Sequence, residues 1–83
     1  MGKRLYTFKR EKLRELLKQE RVDAGLTQKA LGKVLKRHQS YVSDYERGHR
    51  RLDWVAVEEV LTACGVELPK FAGRYVKSVA NGQ

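Results

Sequence analysis

The chain has 83 residues, which is enough for one domain with a modest core. Its net charge is +8, and the excess of Lys and Arg lies entirely within residues 1–51. A charge concentrated in one half favours an anionic partner such as nucleic acid, the alternative being a device for solubility.

Several classes of protein are excluded at the outset. A single cysteine, Cys64, cannot form an internal disulfide and offers no zinc-finger spacing, and it is expected to be a small core residue. The basic N-terminus contains no apolar run of signal-peptide or transmembrane length, so we expect a cytoplasmic protein without a membrane partner.

The first eight residues are basic and aromatic. Lys3 and Arg4 stand beside Leu5, Tyr6 and Phe8. One interpretation is a basic arm that enters a DNA minor groove, as homeodomain arms do. The other is that the aromatic side chains cover the core of the domain.

A first helix is predicted from about Lys9 to Ala24. Leucines at 13, 16 and 17 form its apolar face, and Gly25 suits the left-handed position after its end. Arg21 interrupts this face, and a cation there needs a partner to offset its burial.

A second helix is predicted to begin at Thr27, whose hydroxyl can cap it. Ala30, Leu31, Val34 and Leu35 then form one apolar stripe that faces the core. Gln28 lies in the first turn, where free backbone amides and the helix dipole favour a phosphate.

The third helical pattern is short and mostly polar. Val42 and Tyr45 are its two apolar anchors, while amide, hydroxyl, carboxylate and guanidinium side chains occupy the other positions. Such a helix is marginal alone, and its side chains suit hydrogen bonding to an external partner. The alternative is a solvated helix without a binding role.

The stretch TQKALGKVLKRHQSYVSDYERG, residues 27–48, resembles the helix-turn-helix of the Cro and phage-repressor family. A Gln opens the first helix, Gln-Ser opens the recognition helix and Glu-x-Gly ends it, and the resemblance extends roughly from Leu13 to Val66. The turn departs from the family pattern, because Lys36 and Arg37 replace the usual Gly and apolar residue. His38 takes the place of the usual Ser or Thr cap. Lys36 is therefore expected in a left-handed or strained conformation.

The resemblance implies a role for each polar position. Gln39 matches the family position that contacts a base edge, and its amide complements adenine. The proposed base contacts are Gln39, Ser40, Ser43 and Asp44; Asp44 would either accept from cytosine or repel wrong sequences. The proposed phosphate contacts are Gln28, Arg37, Arg47, His49, Arg50 and Arg51. Similar proteins also pair an Arg at the position of Arg21 with a Glu at the position of Glu46, which would tie the first helix to the third.

A fourth helix is predicted after Asp53, which is suited to the N-cap with Leu52 and Val57 as a hydrophobic staple. Val57, Val60, Leu61 and Cys64 recur at helical spacing, so this helix belongs to the core. Gly65 and Val66 are typical of a Schellman ending.

The last helix begins near Leu68-Pro69, because Pro suits the first helical turn. Its apolar stripe is wider than a four-helix core requires, which favours a dimer interface. The interface residues are expected to be Phe71, Tyr75 and Val79. The alternative is that this helix only closes its own domain.

No catalytic constellation is evident. His38 and His49 lie on different elements, and the sequence contains no metalloprotease motif, nucleophile–base pair or glycine-rich phosphate loop. We therefore expect no enzyme activity, cofactor, metal or small-molecule ligand. RNA is a weaker candidate than DNA, because an exposed helix fits the major groove of B-form DNA.

These observations predict an all-α protein of five helices with a helix-turn-helix. We divide it into an arm at 1–8, a DNA-binding domain at 9–66 and a C-terminal helix at 67–83. The predicted function is sequence-specific binding of double-stranded DNA by a homodimeric transcriptional regulator, on a two-fold symmetric operator. The alternative is an antitoxin-like module that neutralises a partner protein and autoregulates its operon. The short segment after the fourth helix leaves little chain to wrap such a partner.

Overall fold

The computed structural model describes residues 2–82, which form five α-helices and no strand. The helices are α1 (Gly2–Asp23), α2 (Gln28–Val34), α3 (Gln39–Glu46), α4 (Trp54–Ala63) and α5 (Leu68–Asn81). The predicted all-α class and the predicted number of helices are both confirmed. The helix-turn-helix consists of α2 and α3, which are joined by a short turn.

The first helix is longer than the sequence indicated. The predicted start at Lys9 is wrong, because α1 already begins at Gly2, and the described part of the expected arm is its first two turns. Met1 lies outside the described residues. Phe8 contacts Gly82 at the end of α5, so this extension packs along the last helix. That contact supports the interpretation in which an aromatic residue near the N-terminus covers the domain.

The helix ends follow the predicted capping chemistry. Thr27, His38 and Asp53 each cap a helix, their side chains accepting from the backbone amides of Ala30, Ser40 and Ala56 at 3.0, 3.2 and 2.8 Å. Each of the first four helices is followed, two residues after its end, by a residue at positive φ, namely Gly25, Lys36, Gly48 and Gly65. Lys36 has a φ of 58°, so the expected left-handed conformation in the turn is confirmed.

The turn between α2 and α3 depends on a glycine that the sequence analysis did not single out. Gly32 is buried, and a Cβ added there would lie 3.0 Å from the carbonyl oxygen of Arg37. The amide of Arg37 donates to the carbonyl of Gly32 at 2.8 Å. The absence of a side chain at position 32 thus lets the start of α3 approach α2 closely.

The orientation of α2 corrects one prediction. Leu31 is fully buried and Leu35 packs against the core, but Val34 is 55% exposed and does not face the core as predicted. The helix has only seven residues, and the close contact at Gly32 fixes its orientation toward α3. Val34 is thereby left at the surface.

All five helices contribute buried side chains to the core. Its buried members are Leu17, Leu31, Tyr41, Val42, Tyr45, Val57, Val60, Leu61 and Phe71. Tyr41 is a third apolar anchor of α3, so this helix is more firmly attached than the two predicted anchors implied. Cys64 is half-buried against the core, and burial raises the pKa of its thiol.

Candidate nucleic-acid interface

The first turn of α3 lies at the surface. His38 precedes it in an extended conformation, and its Nδ1 accepts from the Ser40 amide and lies 3.1 Å from the Ser40 hydroxyl. Gln39 and Ser40 are both exposed. The His38 side chain satisfies a backbone amide at the start of the helix. The side-chain amide of Gln39 is therefore available to an external partner.

The second turn of α3 is partly covered. Ser43 and Asp44 are half-buried, and Oδ1 of Asp44 accepts from Arg47 at 3.1 Å. This surface pair, formed by residues three positions apart, contributes roughly 0.2–0.5 kcal/mol to stability. A cytosine amino group would have to share the carboxylate with Arg47.

The other end of α3 is held by a buried ion pair. Nε of Arg21 donates to Glu46 at 2.7 Å, and a second guanidinium nitrogen donates to the same carboxylate at 3.1 Å. A further nitrogen of Arg21 donates to the carbonyl of Leu26 at 2.8 Å. The hydrogen bonds with Glu46 raise the pKa of Arg21 above its usual value. This bidentate contact joins α1 to α3, as the resemblance implied.

Gln28 belongs to the same cluster. Its side-chain amide donates to Glu46 at 3.0 Å, so the carboxylate accepts from both Arg21 and Gln28. The resemblance predicts a phosphate contact for Gln28. In the structure it is half-buried at the start of α2, with its amide nitrogen engaged in this cluster.

Cations from both sides of α3 meet on one aromatic ring. The guanidinium carbon of Arg37, in the turn before α3, lies 4.7 Å from the Tyr41 ring centroid. That of Arg50, in the loop after α3, lies 5.1 Å from the same centroid. Such stacking holds a guanidinium in place without consuming all of its donors. The ring therefore positions two cations beside the exposed first turn.

The remaining members of the predicted phosphate set are Arg47, His49 and Arg51, and all three are exposed. Arg51 stacks on Tyr6 of α1 with its guanidinium carbon 5.9 Å from the ring centroid. The structure thus brings the turn, α3, the following loop and the extended part of α1 to one basic surface.

Tyr41 is a site residue that the sequence analysis missed. It lies four residues before Tyr45, and the two rings meet edge to face with centroids 5.8 Å apart. An aromatic pair at this spacing occupies one helix face, so the signal was present in the sequence. Only Val42 and Tyr45 are among the predicted apolar anchors of α3.

The predicted dimer surface requires one correction. Phe71 is only 3% exposed in the single chain, because α5 packs it against the core, and it cannot supply an interface. Tyr75 and Val79 are half-buried, and Val76 beside them is 63% exposed. An apolar groove of about 260 Å³ runs between Trp54 of α4 and Tyr75 of α5.

The described residues contain neither a membrane helix nor a metal cluster. None of the helices within residues 2–82 is long and apolar enough to cross a bilayer. Across the same range, no three His, Cys, Asp or Glu side chains gather where they could hold a metal ion.

Comparison with known proteins gives a family match. The sequence model described as "Helix-turn-helix domain" matches residues 12–71, which is more than half of the chain. A search of curated proteins gave no significant match. The matched segment includes α2, α3 and α4 in full and about half of α1.

Solved structures share the fold over most of the chain. The restriction-modification controller protein C.Esp1396I is 25% identical with a TM-score of 0.81, and the match covers 88% of this chain and 96% of that one. The same controller protein as a tetramer in complex with its natural 35 base-pair operator has a TM-score of 0.80 at 25% identity, with the same coverage. The clp gene regulator ClgR from Corynebacterium glutamicum is 26% identical with a TM-score of 0.77, covering 89% of this chain and 79% of that one.

Proposed function

The chain belongs to the helix-turn-helix domain family and is a DNA-binding transcription regulator, and we propose that it recognises a two-fold symmetric operator as a homodimer. The observation that carries this proposal is the exposed first turn of α3 with cations on both sides. Gln39 and Ser40 face solvent there, while Arg37 and Arg50 flank them on the Tyr41 ring. A helix with an exposed polar start and basic flanks fits the major groove of B-form DNA.

Side chains that contact bases and side chains that contact phosphates have different roles in this proposal. Gln39, Ser40, Ser43 and Asp44 contact base edges and carry sequence information. Arg37, Arg47, His49, Arg50, Arg51 and the backbone near Gln28 contact phosphates, which position the protein without selecting a sequence. The cluster of Arg21, Glu46 and Gln28 fixes the orientation of α3 relative to α1 and α2.

The test of sequence recognition begins with selection of bound sequences from a random duplex pool, which identifies the operator. Gln39→Ala should then lose roughly 1–3 kcal/mol of binding free energy on the operator and little on random DNA, because one bidentate base contact disappears. Arg50→Ala is the matched comparison. It should weaken both kinds of DNA alike and reduce the slope of log affinity against log salt by about one.

One outcome would contradict the assignment of α3 as the recognition helix. If Gln39→Ala weakens operator and random DNA by the same factor, α3 is not the helix that recognises sequence. The basic surface would then be a nonspecific polyanion-binding surface.

The dimer is supported by the apolar surface of α4 and α5. Trp54, Val55 and Val76 are well exposed, and Tyr75 lines the adjoining groove. The controller protein C.Esp1396I binds its operator as a tetramer, so assembly on DNA occurs among proteins of this fold. In a two-fold dimer of this chain the recognition helices should lie about 34–36 Å apart, one turn of DNA.

Sedimentation tests the assembly directly. The wild-type chain should sediment as a dimer at micromolar concentration, and Tyr75→Glu should shift it toward the monomer because a carboxylate is costly in an apolar interface. Lys70→Glu on the same helix is the control, since Lys70 is exposed and lies outside the groove. A monomer that neither variant changes would contradict the proposed assembly.

A further inference from the structure

A second basic feature lies beside α3 and was not anticipated from the sequence. It is a pocket of about 160 Å³ between α1 and the loop after α3. Arg10 and Arg14 line it from α1, and Arg50 and Arg51 line it from the loop. Two of these residues, Arg10 and Arg14, lie outside the set of cations predicted to contact DNA.

The spacing along α1 explains how one wall of the pocket forms. Tyr6, Arg10 and Arg14 follow one another at intervals of four residues, so they share one face of the helix. The extension of α1 beyond the predicted start therefore supplies Tyr6 to this face. Arg10 and Arg51 both stack on the Tyr6 ring, with guanidinium carbons 5.7 and 5.9 Å from its centroid.

Gly48 brings the opposite wall close to α1. A Cβ added at Gly48 would lie 2.9 Å from the guanidinium carbon of Arg14, which means that the guanidinium rests directly on the glycine backbone. Gly48 also has a positive φ of 83°, so a larger residue would be strained there for two separate reasons. The end of α3 and the side chain of Arg14 are thereby packed together at the pocket.

The charge in this pocket has no counterpart within the described chain. Carboxylates pair with Lys12, Arg21, Arg47 and Arg74 across residues 2–82, and with none of the four pocket arginines. Arg10 and Arg14 are half-buried. Cations that line one small pocket without carboxylate partners repel one another, and a bound anion offsets that repulsion.

From these observations we propose that the pocket binds a phosphoryl group. Arginine forks match the oxygens of phosphate in bidentate geometry, and four arginines suit a multiply charged anion better than a single carboxylate. The volume is below the roughly 300–1,000 Å³ of sites for drug-sized ligands, so a small group fits it. The phosphoryl group comes either from the DNA backbone or from a free phosphorylated molecule; only the first source rests on the proposed function.

The first experiment uses inorganic phosphate as the probe and the full chain as the protein. Thermal unfolding is followed while phosphate replaces chloride at constant ionic strength, with acetate as a monocarboxylate comparison. Phosphate should raise the melting temperature in a saturable manner and acetate should not. An equal response to the two anions would overturn the proposal.

The variants Arg10→Gln and Arg14→Gln locate the binding. Each should weaken phosphate binding about tenfold, since a charge-assisted hydrogen bond is lost. Lys18→Gln is the matched control, because it removes one charge from an exposed position on the same helix, outside the pocket. Arg10→Gln keeps the test decisive if loss of the Arg14–Gly48 contact impairs folding. If both pocket variants respond to phosphate as Lys18→Gln does, the pocket is not the site.

Binding to the selected operator distinguishes the two sources. If a DNA phosphate occupies the pocket, Arg10→Gln and Arg14→Gln each reduce the slope of log affinity against log salt by about 0.9, and free phosphate competes with DNA. If a free phosphorylated molecule occupies it, the salt slope stays unchanged while inorganic phosphate still binds. Either result supports a phosphoryl site.

Failure of this inference is separable from failure of the proposed function. Normal operator recognition without a phosphate-specific response would contradict phosphate binding in the pocket. It would not affect the proposed function as a DNA-binding regulator. Phosphate binding by a chain that shows no operator preference would support the pocket site and contradict the proposed operator recognition.

Discussion

The two ends of α3 are held in different ways, although the helix has only eight residues. At its C-terminal end, Glu46 accepts from Arg21 and Gln28 in a cluster that is largely shielded from water. At its N-terminal end, Gln39 and Ser40 are exposed, and the helix start depends on the His38 cap and on close backbone contact at Gly32. Charge-assisted bonds thus fix one end, while the other keeps its side chains free.

This difference separates stability from recognition within a single helix. A buried ion pair is costly to break on one side, because the remaining charge has no water and no partner. Exposed polar side chains contribute little to folding, so their identity can change with little effect on stability. The buried end is expected to set the angle of α3, and the exposed end is expected to select the sequence.

The largest expected effect comes from breaking the buried end. Arg21→Ala and Glu46→Ala should each lower the free energy of unfolding by about 3–5 kcal/mol, since each leaves an unpaired buried charge. The double variant should lose clearly less than the two single losses together, because no charge is then left alone. Urea unfolding of the four proteins in this cycle measures the coupling.

The control for this cycle lies at the other end of the same helix. Gln39→Ala should change the free energy of unfolding by less than about 0.5 kcal/mol while altering sequence preference. Strictly additive losses of stability for the Arg21 and Glu46 variants would contradict the proposed difference between the two ends of α3. A large loss of stability for Gln39→Ala would also contradict it.

A smaller effect is expected at Tyr45, beside the buried cluster. Its hydroxyl has no partner among the described residues, and an unsatisfied buried hydroxyl costs roughly 1–3 kcal/mol. Tyr45→Phe should therefore raise the free energy of unfolding by about 1 kcal/mol. Tyr6→Phe, which removes the same group from an exposed ring, should give no such gain.

The same hydroxyl predicts a dependence on pH. Burial raises the pKa of Tyr45 above its ordinary value of 10.0, so the folded chain holds this proton more tightly than the unfolded chain does. The contribution of this pKa difference to the free energy of unfolding is fully present below the ordinary pKa. It is lost as pH rises toward the raised pKa. Wild type should thus lose more stability than Tyr45→Phe above about pH 10. Equal alkaline losses in urea titrations of the two proteins would contradict the burial of this group.

Sequence reasoning succeeded where local chemistry decides the structure. Caps at Thr27, His38 and Asp53 and the left-handed Lys36 follow from residue type and spacing within a few positions. The pair of Arg21 and Glu46 spans 25 residues, and it was reached through an apolar face with one cation together with the family resemblance.

The features that escaped the sequence depend on packing between distant elements. Nothing local marks Gly2 as a helix start, since the extension has no acidic first turn and packs through Phe8 against the end of α5. Phe71 shares a stripe with Tyr75, and only the placement of α5 shows which of them fills the core. The arginine pocket likewise joins residues about 40 positions apart, so neither α1 nor the loop reveals it alone.

The smallest expected effect lies at the turn before the exposed end of α3. Lys36 has a φ of 58°, in the left-handed region that costs a side-chain-bearing residue about 1–2 kcal/mol. Glycine removes this strain but gains freedom in the unfolded chain, so Lys36→Gly should raise the free energy of unfolding by about 1 kcal/mol or less. Lys36→Ala is the matched comparison, because it removes the charge and keeps the strained backbone.

Comparison of the two Lys36 variants shows whether strain in this turn helps to position the exposed end. Since the amide of Arg37 already bonds to Gly32 at 2.8 Å, relief of strain one residue earlier should leave the start of α3 in place. The operator selected by Lys36→Gly should therefore match that of wild type, while its thermal stability exceeds that of Lys36→Ala. Equal stability of the two variants would assign the effect to charge, and an altered operator preference would show that the strained turn itself aims Gln39 at its base.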